Sequence, residues 1–338
     1  MNKHKCASSR DVAKEAGVSQ ATVSYVLNNV EGISIKPKTR EAVLNAARKL
    51  NYHPNLIAKS MRLKKSMSIG IVTDKDVSNY FFMNILEGIK DALVHRNYTM
   101  TFCFNKYLDL EEDDYVKYYN SNRIDGIIFT QSKLTDMQIS YLLENNIPFV
   151  VINTNARNEV VHLVKTDMED AIGHTIGCFA DSGIKDIAYI GTNAKDSGNR
   201  RYQGYIKGLE KCGLKLDENI VYKVGGGKEE TEKLMDAYFP DCKAFPAAVI
   251  CDHSDIGFYM LRHAVRKGVR VPNDMTVVSI GTSPFFEYSQ PAMSAIEAPL
   301  YDMGYKGCSM LFDIMDGNSD MLDDVVVLQW KLVRRESF

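Results

Sequence analysis

The sequence predicts a small all-α head followed by an α/β body of two doubly wound parallel-sheet subdomains. Charge gives the first reason. Residues 1–65 carry 13 Lys/Arg against 4 Asp/Glu, a balance of +9, while the rest of the chain is −11 and the whole only −2. A basic head on an acidic body points to a polyanion-binding module joined to a part that does not bind polyanions. Periodicity gives the second reason. The head has helical spacing broken by sharp turns, whereas from residue 68 strand-length apolar runs alternate with helical stretches. Composition supports both. With 338 residues, 45% apolar and 25% charged, the chain is long enough for two or three domains and is not disordered.

Some classes are excluded early. No stretch approaches the roughly 18 uninterrupted apolar residues of a membrane helix. The basic start Met1-Asn2-Lys3-His4-Lys5 has no apolar run behind it, so no removable signal peptide is expected. The seven cysteines are scattered, with no C-x-x-C pair. Neither a disulfide framework nor a zinc site is expected, and a reducing cytoplasm fits.

In the head, Ser8 or Ser9 caps a first helix whose inner face is Val12, Ala13 and Ala16. Gly17 breaks it, and Ser19 caps a second helix with Val23, Val26 and Leu27 on its apolar side. Small Ala13 and Ala16 let the two helices approach closely. This is a helix-turn-helix pattern, in which the second helix enters the DNA major groove. Its outward residues are Gln20, Ala21, Ser24 and Tyr25. A third helix starts near Pro37 and buries Val43, Ala47 and Leu50. Pro54 ends it, Asn55 caps a further short helix over 55–62, and Leu63-Lys64-Lys65-Ser66 reads as a linker. A helix so short needs a partner to persist.

The body starts with a strand at Ser68–Thr73 and a helix at Phe81–His95. Strands at Thr99–Phe104, Gly126–Phe129 and Phe149–Ile152 follow, with a helix at Asp114–Asn120. A second set then alternates. Its helices are Glu169–Ala180, Arg200–Cys212, Glu230–Tyr238 and Asp255–Arg266; its strands are Ile187–Ile190, Ile220–Val224, Ala248–Cys251 and Thr276–Ile280. Such alternation predicts parallel sheets, with ligand in a cleft at the carboxyl ends of the strands. No G-x-x-x-x-G-K-S/T, G-x-S-x-G, H-E-x-x-H or post-strand G-x-G-x-x-G occurs, so no enzyme is expected. Gly225-Gly226-Gly227 lacks a phosphate-binding Lys-Ser/Thr, and the seven histidines have no metal-ligand spacing, so neither cofactor nor metal is expected.

The run Arg10-Asp11-Val12-Ala13-Lys14-Glu15-Ala16-Gly17-Val18-Ser19-Gln20-Ala21-Thr22-Val23-Ser24-Tyr25-Val26-Leu27-Asn28-Asn29 closely resembles the head of the lactose/galactose-repressor (LacI-type) family. So do Lys38-Thr39-Arg40-Glu41 and Asn51-Tyr52-His53-Pro54-Asn55. The resemblance is nearly gapless from Ser9 to Val72 and continues weakly to the C-terminus. It implies a periplasmic-binding-protein-like body and a ligand-responsive, sequence-specific DNA-binding regulator. Such a regulator is a repressor of carbohydrate or related catabolic genes, acting as a homodimer on a pseudo-palindromic double-stranded operator.

By position, the resemblance makes Gln20 and Ala21 the main base readers, one toward an adenine edge and one toward a thymine methyl. Ser19, Thr22 and Ser24 contact phosphates or base edges from the same helix. Tyr25 stands where the family very often has Arg, which removes a guanine contact; its ring either faces the DNA or packs on the third helix. The 55–62 segment matches the family's hinge helix, with Asn55 capping it, Met61 at the position that wedges between bases, and Lys59 and Arg62 beside it.

The resemblance also places the effector. Arg201-Tyr202-Gln203-Gly204-Tyr205 matches a block whose Arg donates to the effector. Cys251-Asp252-His253 lies where many members have Ala-Asn-Asp, so Asp252 and His253 are candidates. Gly281 replaces a usual carboxylate. Asn153 and Thr130, at ends of first-subdomain strands, are further candidates. A sugar or sugar-like molecule is expected; sugar phosphates, acids and nucleosides remain open, as does a phosphoprotein corepressor. The expected division is a head over 1–54, hinge and linker over 55–66, and a body over 67–338. In the body, 67–165 plus 294–338 form the first subdomain, and 166–293 form the second. The competing readings, a solute-binding protein and a sugar-processing enzyme on the same layout, conflict with the basic head and the missing catalytic motifs.

Overall fold

A computed structural model describes residues 7–27, 32–52, 65–73, 79–103, 114–130, 134–152, 162–225, 227–318 and 323–338. The chain divides into two compact units, Met1–Ser66 and Met67–Phe338.

The first unit is a three-helix head of α1 (Ser9–Ala16), α2 (Gln20–Leu27) and α3 (Pro37–Lys49). Ser8 caps α1 in a reciprocal box: its Oγ accepts from Asp11 N–H, and the Asp11 carboxylate accepts from Ser8 N–H at 2.8 Å. Gly17 ends α1 at φ +65°, a left-handed conformation in which Gly is unstrained. The core is Val12, Ala13, Val23, Val26, Val43, Ala46 and Ala47. Leu50, expected inside it, is half-buried just beyond the end of α3.

The second unit holds two six-stranded sheets. The first contains β1 (Ser68–Thr73), β2 (Thr99–Cys103), β3 (Gly126–Thr130), β4 (Phe149–Ile152), β5 (Leu163–Thr166) and β11 (Val325–Leu328). Their order is β11-β5-β4-β3-β1-β2, and every pairing is parallel. Helices cover both faces, which is why β3 and β4 are buried at every position. On one face Ile69, Ile71, Ile128 and Val150 meet α4 (Tyr80–Arg96) and α11 (Leu300–Met315). On the other, Val72, Ile127, Phe129 and Val151 meet α5 (Asp114–Asn120) and α6 (Asp136–Glu144). The sequence pattern predicts neither α6 nor β5.

The second sheet contains β6 (Ile187–Gly191), β7 (Val221–Lys223), β8 (Ala248–Cys251), β9 (Thr276–Ile280), β10 (Ser294–Glu297) and β12 (Lys331–Val333). Their order is β12-β10-β9-β8-β6-β7, parallel except for β12 against β10. One face packs on α7 (Met168–Asp181) and α8 (Arg200–Lys211), the other on α9 (Lys228–Tyr238) and α10 (Ser254–Arg266). The expected subdomain boundary at residue 294 is corrected here. Ser294 pairs in parallel with Val278, so β10 belongs to the second sheet, as does β12. The chain crosses back only at Ala298-Pro299, because β10 first completes the edge of that sheet.

The crossings define the geometry of the body. Only Asp167 separates the carboxyl end of β5 from α7, Ala298 and Pro299 separate that of β10 from α11, and Gln329 and Trp330 separate that of β11 from β12. All three leave carboxyl ends, so the carboxyl edges of the two sheets face each other.

Helices α4 and α11 cross backbone to backbone. A Cβ on Gly88 would collide with the Tyr301 carbonyl, and one on Gly304 with the Ile85 carbonyl. Backbone cannot swing aside as a side-chain tip can. Gly304→Ala is therefore expected to destabilise the body by about 3 kcal/mol, the upper end of ordinary overpacking costs. Urea unfolding measures this; a midpoint equal to wild type would show that the helices can separate freely.

Candidate functional site

The head presents one continuous face. With Val23 and Val26 buried, α2 turns Gln20, Ala21 and Tyr25 outward, and Tyr25 is 38% exposed rather than buried on α3. Thr22 and Ser24 are half-buried at its flank. Ser19 sets the start of the helix: its Oγ accepts from Thr22 N–H at 3.1 Å and lies 2.9 Å from the Thr22 hydroxyl. The Gln20 amide donates to Ser9 Oγ at 2.7 Å, which ties the side chain to α1. A salt bridge of 2.5 Å joins Lys49 to Glu15 across α3 and α1; both groups are exposed, so it contributes little stability. Asn55, Lys59, Met61 and Arg62 lie outside the described residues.

The body places its polar cluster where sheet topology puts ligands. The order of the second sheet reverses between β6 and β8, and the crevice at such a reversal opens at the carboxyl ends of the strands. Beside β6 and β8 lie Arg201, Asp252 and His253. Arg201 is the second residue of α8, whose N-cap Asn199 accepts from Arg201 N–H at 2.9 Å. Its guanidinium donates to the Asp252 carbonyl. Asp252 follows the last residue of β8 and is wholly buried. The Asp252 Oδ1 atom lies 2.5 Å from Nδ1 of His253, which occupies the N-cap of α10. The other carboxylate oxygen has no hydrogen-bond partner among the described residues. Gly191, at the end of β6, makes room for it, since a Cβ there would collide with the Asp252 carboxylate.

One member of this cluster was missed by sequence reasoning. Tyr189, within β6, is fully buried, with its hydroxyl unpartnered among the described residues. Burial and then the Asp252 carboxylate push its phenol well above the usual range, so it stays neutral. Nothing in the strand pattern distinguished it from an ordinary core aromatic. The Asn199 cap, by contrast, could have been read from an Asn just before a helical run.

Of the remaining candidates, Thr130 ends β3 in the other sheet. It is buried, and its hydroxyl donates to the Val72 carbonyl at 3.5 Å. Asn153 lies outside the described residues. Gly281 follows β9 at φ +87°, a conformation that disfavours any replacement bearing a Cβ. No cluster of three or more His, Cys, Asp or Glu residues suited to a metal occurs among the described residues. No helix among them is long and apolar enough to cross a membrane.

Comparison with known proteins agrees with this layout. Residues 10–55 match the family model for bacterial regulatory proteins of the lacI family, and residues 176–338 match a periplasmic binding protein-like domain. The chain is 32% identical over 337 residues to the HTH-type transcriptional regulator RegA of Clostridium saccharobutylicum, covering 97% of this chain and 98% of that one. It is 28% identical to catabolite control protein A of Staphylococcus xylosus, over 94% of each. Among solved structures it resembles the transcriptional regulator CelR in complex with cellobiose, with a TM-score of 0.67 and 26% identity over 98% of this chain and 100% of that one. The Lac repressor bound to ONPG shares the fold, with a TM-score of 0.78 at 21% identity over 99% and 100% of the two chains. With a helix-turn-helix head, a two-sheet body and a relative alike along nearly its whole length, this chain belongs to the LacI family of DNA-binding transcriptional regulators.

Proposed function

We propose that this chain is a cytoplasmic, homodimeric repressor of carbohydrate or related catabolic genes, whose operator affinity is set by a sugar-like effector bound between the two sheets. The observation that carries the DNA half is the outward face of α2 in a head of charge +9. Gln20 and Ala21 read base edges, while Ser19, Thr22, Ser24 and Tyr25 contact phosphates or neighbouring bases. Asn55, Lys59, Met61 and Arg62 form the hinge that enters the minor groove, with Met61 as the wedge. In the body, Arg201 and His253 contact the effector and Asp252 lies directly behind them. Thr130 and Asn153 are the proposed contacts from the first subdomain. The relatives support the carbohydrate assignment: one carries a catabolite-control name and another is in complex with cellobiose.

Ligand in the cleft alters the angle between the sheets and so the pairing of two heads. Such coupling is reciprocal: the factor by which effector weakens operator binding is the factor by which operator weakens effector binding.

Two experiments test this reading. In gel shifts with a pseudo-palindromic operator, two protomers are expected per duplex, with affinity falling steeply as salt rises. In the same assay Gln20→Ala is expected to cost about 1–3 kcal/mol at one base position per half-site and to relax selectivity there. Salt-independent binding, or one protomer per duplex at saturation, would refute the DNA-binding mode. In operator titrations with and without effector, Arg201→Ala is expected to remove a coupling of about 1–3 kcal/mol. An intact response in that variant would exclude Arg201 from the site.

A further inference from the structure

Asp252 and His253 are adjacent in sequence but differ completely in exposure. The Asp252 side chain is 0% exposed and that of His253 is 46% exposed. The Asp252 carboxylate faces inward. One oxygen lies 2.5 Å from His253 Nδ1, and the other is enclosed over Gly191 without a hydrogen-bond partner among the described residues. Its main-chain carbonyl is also occupied, by the Arg201 guanidinium. A side chain so enclosed has no surface left to offer a ligand.

We infer that Asp252 is a positioning residue, and that His253, held by it, is the group that meets the effector. This rests on the regulator reading above. An ionised carboxylate only accepts hydrogen bonds, so the His253 hydrogen resides on Nδ1. In the neutral ring that leaves Nε2 as the lone-pair acceptor of a half-exposed side chain. The Arg201 guanidinium, fixed on the neighbouring carbonyl, supplies donors beside it. An acceptor next to a donor suits a ligand whose neighbouring hydroxyls both give and take hydrogen bonds. A phosphate dianion has no hydrogen to give Nε2, and it would lie close to a buried carboxylate. At this position the site therefore favours a hydroxyl over a phosphate oxygen.

Two measurements on the full chain decide the matter. The first is a long-range nitrogen–proton NMR spectrum of protein labelled with 15N-histidine, with the His253 signals identified by their loss in His253→Gln. The Nδ1-protonated tautomer is expected in wild type, and its loss in Asp252→Asn. An Nε2-protonated ring in wild type, or an unchanged pattern in a folded Asp252→Asn protein, overturns the proposal. Should Asp252→Asn not fold, the wild-type tautomer and the His253→Gln binding data still decide. The second is a thermal-shift panel of glucose, galactose and cellobiose against glucose 6-phosphate, galactose 6-phosphate and 6-phosphocellobiose. At least one neutral sugar is expected to stabilise wild type more than its ester does. His253→Gln is expected to weaken that sugar's binding at least tenfold. An ester preferred over its parent, no response to any neutral sugar, or unweakened binding in His253→Gln each refutes the inference. A gel shift of the wild type on operator DNA separates the two levels: if it binds DNA while these results fail, the inference fails and the regulator reading stands.

Discussion

Three short links constrain the body of this protein. Asp167, Ala298-Pro299 and Gln329-Trp330 each carry the chain from a carboxyl end in one sheet directly into an element of the other subdomain. A link of one or two residues spans no more than a few ångströms per residue, so each must join points that are already close. With all three at carboxyl ends, the two carboxyl edges are forced to face each other. The cleft is thus a consequence of connectivity before any side chain is considered. The same links confine relative motion of the sheets to rotation about this narrow strip, because sliding would stretch at least one of them.

Parallel sheets covered on both faces leave few places for polar groups. The interior strands are buried throughout, and helices seal them above and below. Unpaired polar atoms are costly there unless something satisfies them. They therefore collect where strands stop and helices begin. The end of β8 is such a place: Cys251 is fully buried in the core, Asp252 turns its carboxylate inward, and His253 starts α10 at the surface. Glycines serve the same economy of space. Gly191 admits the Asp252 carboxylate, and Gly88 and Gly304 admit a helix crossing.

Much of this was legible in the sequence, for identifiable reasons. The strands at Ser68–Thr73, Phe149–Ile152, Ala248–Cys251 and Thr276–Ile280 read at their observed limits because buried strands are short, mainly apolar and uncharged runs. Asp136–Glu144 was missed because its buried side includes Gln138, which blurs the periodicity. β5 and β10 do not stand out because Lys165 and Glu297 cut their apolar runs to two residues each. The subdomain boundary followed the family resemblance, and only strand pairing shows that β10 completes the second sheet before the chain crosses. At the site, sequence position brought Arg201, Asp252 and His253 forward together. It put Arg201 first but gave no means of telling the roles of Asp252 and His253 apart, since exposure depends on what α8 and β6 place over Asp252.

Ranking matters because burial changes what a residue contributes to recognition. A group that touches ligand alters affinity through its own hydrogen bond, and its loss leaves the ligand short of one partner. A buried group behind it acts by fixing the tautomer and direction of its neighbour, as second partners do for metal-bound histidines. In this cleft the two functions fall on consecutive residues because the chain changes from strand to helix between them. The strand end holds Asp252 inside the sheet, and the helix start carries His253 outward. Arg201 enters from a different helix and fastens onto the Asp252 main-chain carbonyl, while His253 is held by the Asp252 carboxylate, so the donor and the acceptor are both referenced to one residue at the tip of β8. Their spacing is therefore set by the backbone of a buried strand, the least deformable part of the subdomain. The proposed effector would meet one sheet edge as a template fixed in this way, with the three links leaving rotation as the motion between the two edges.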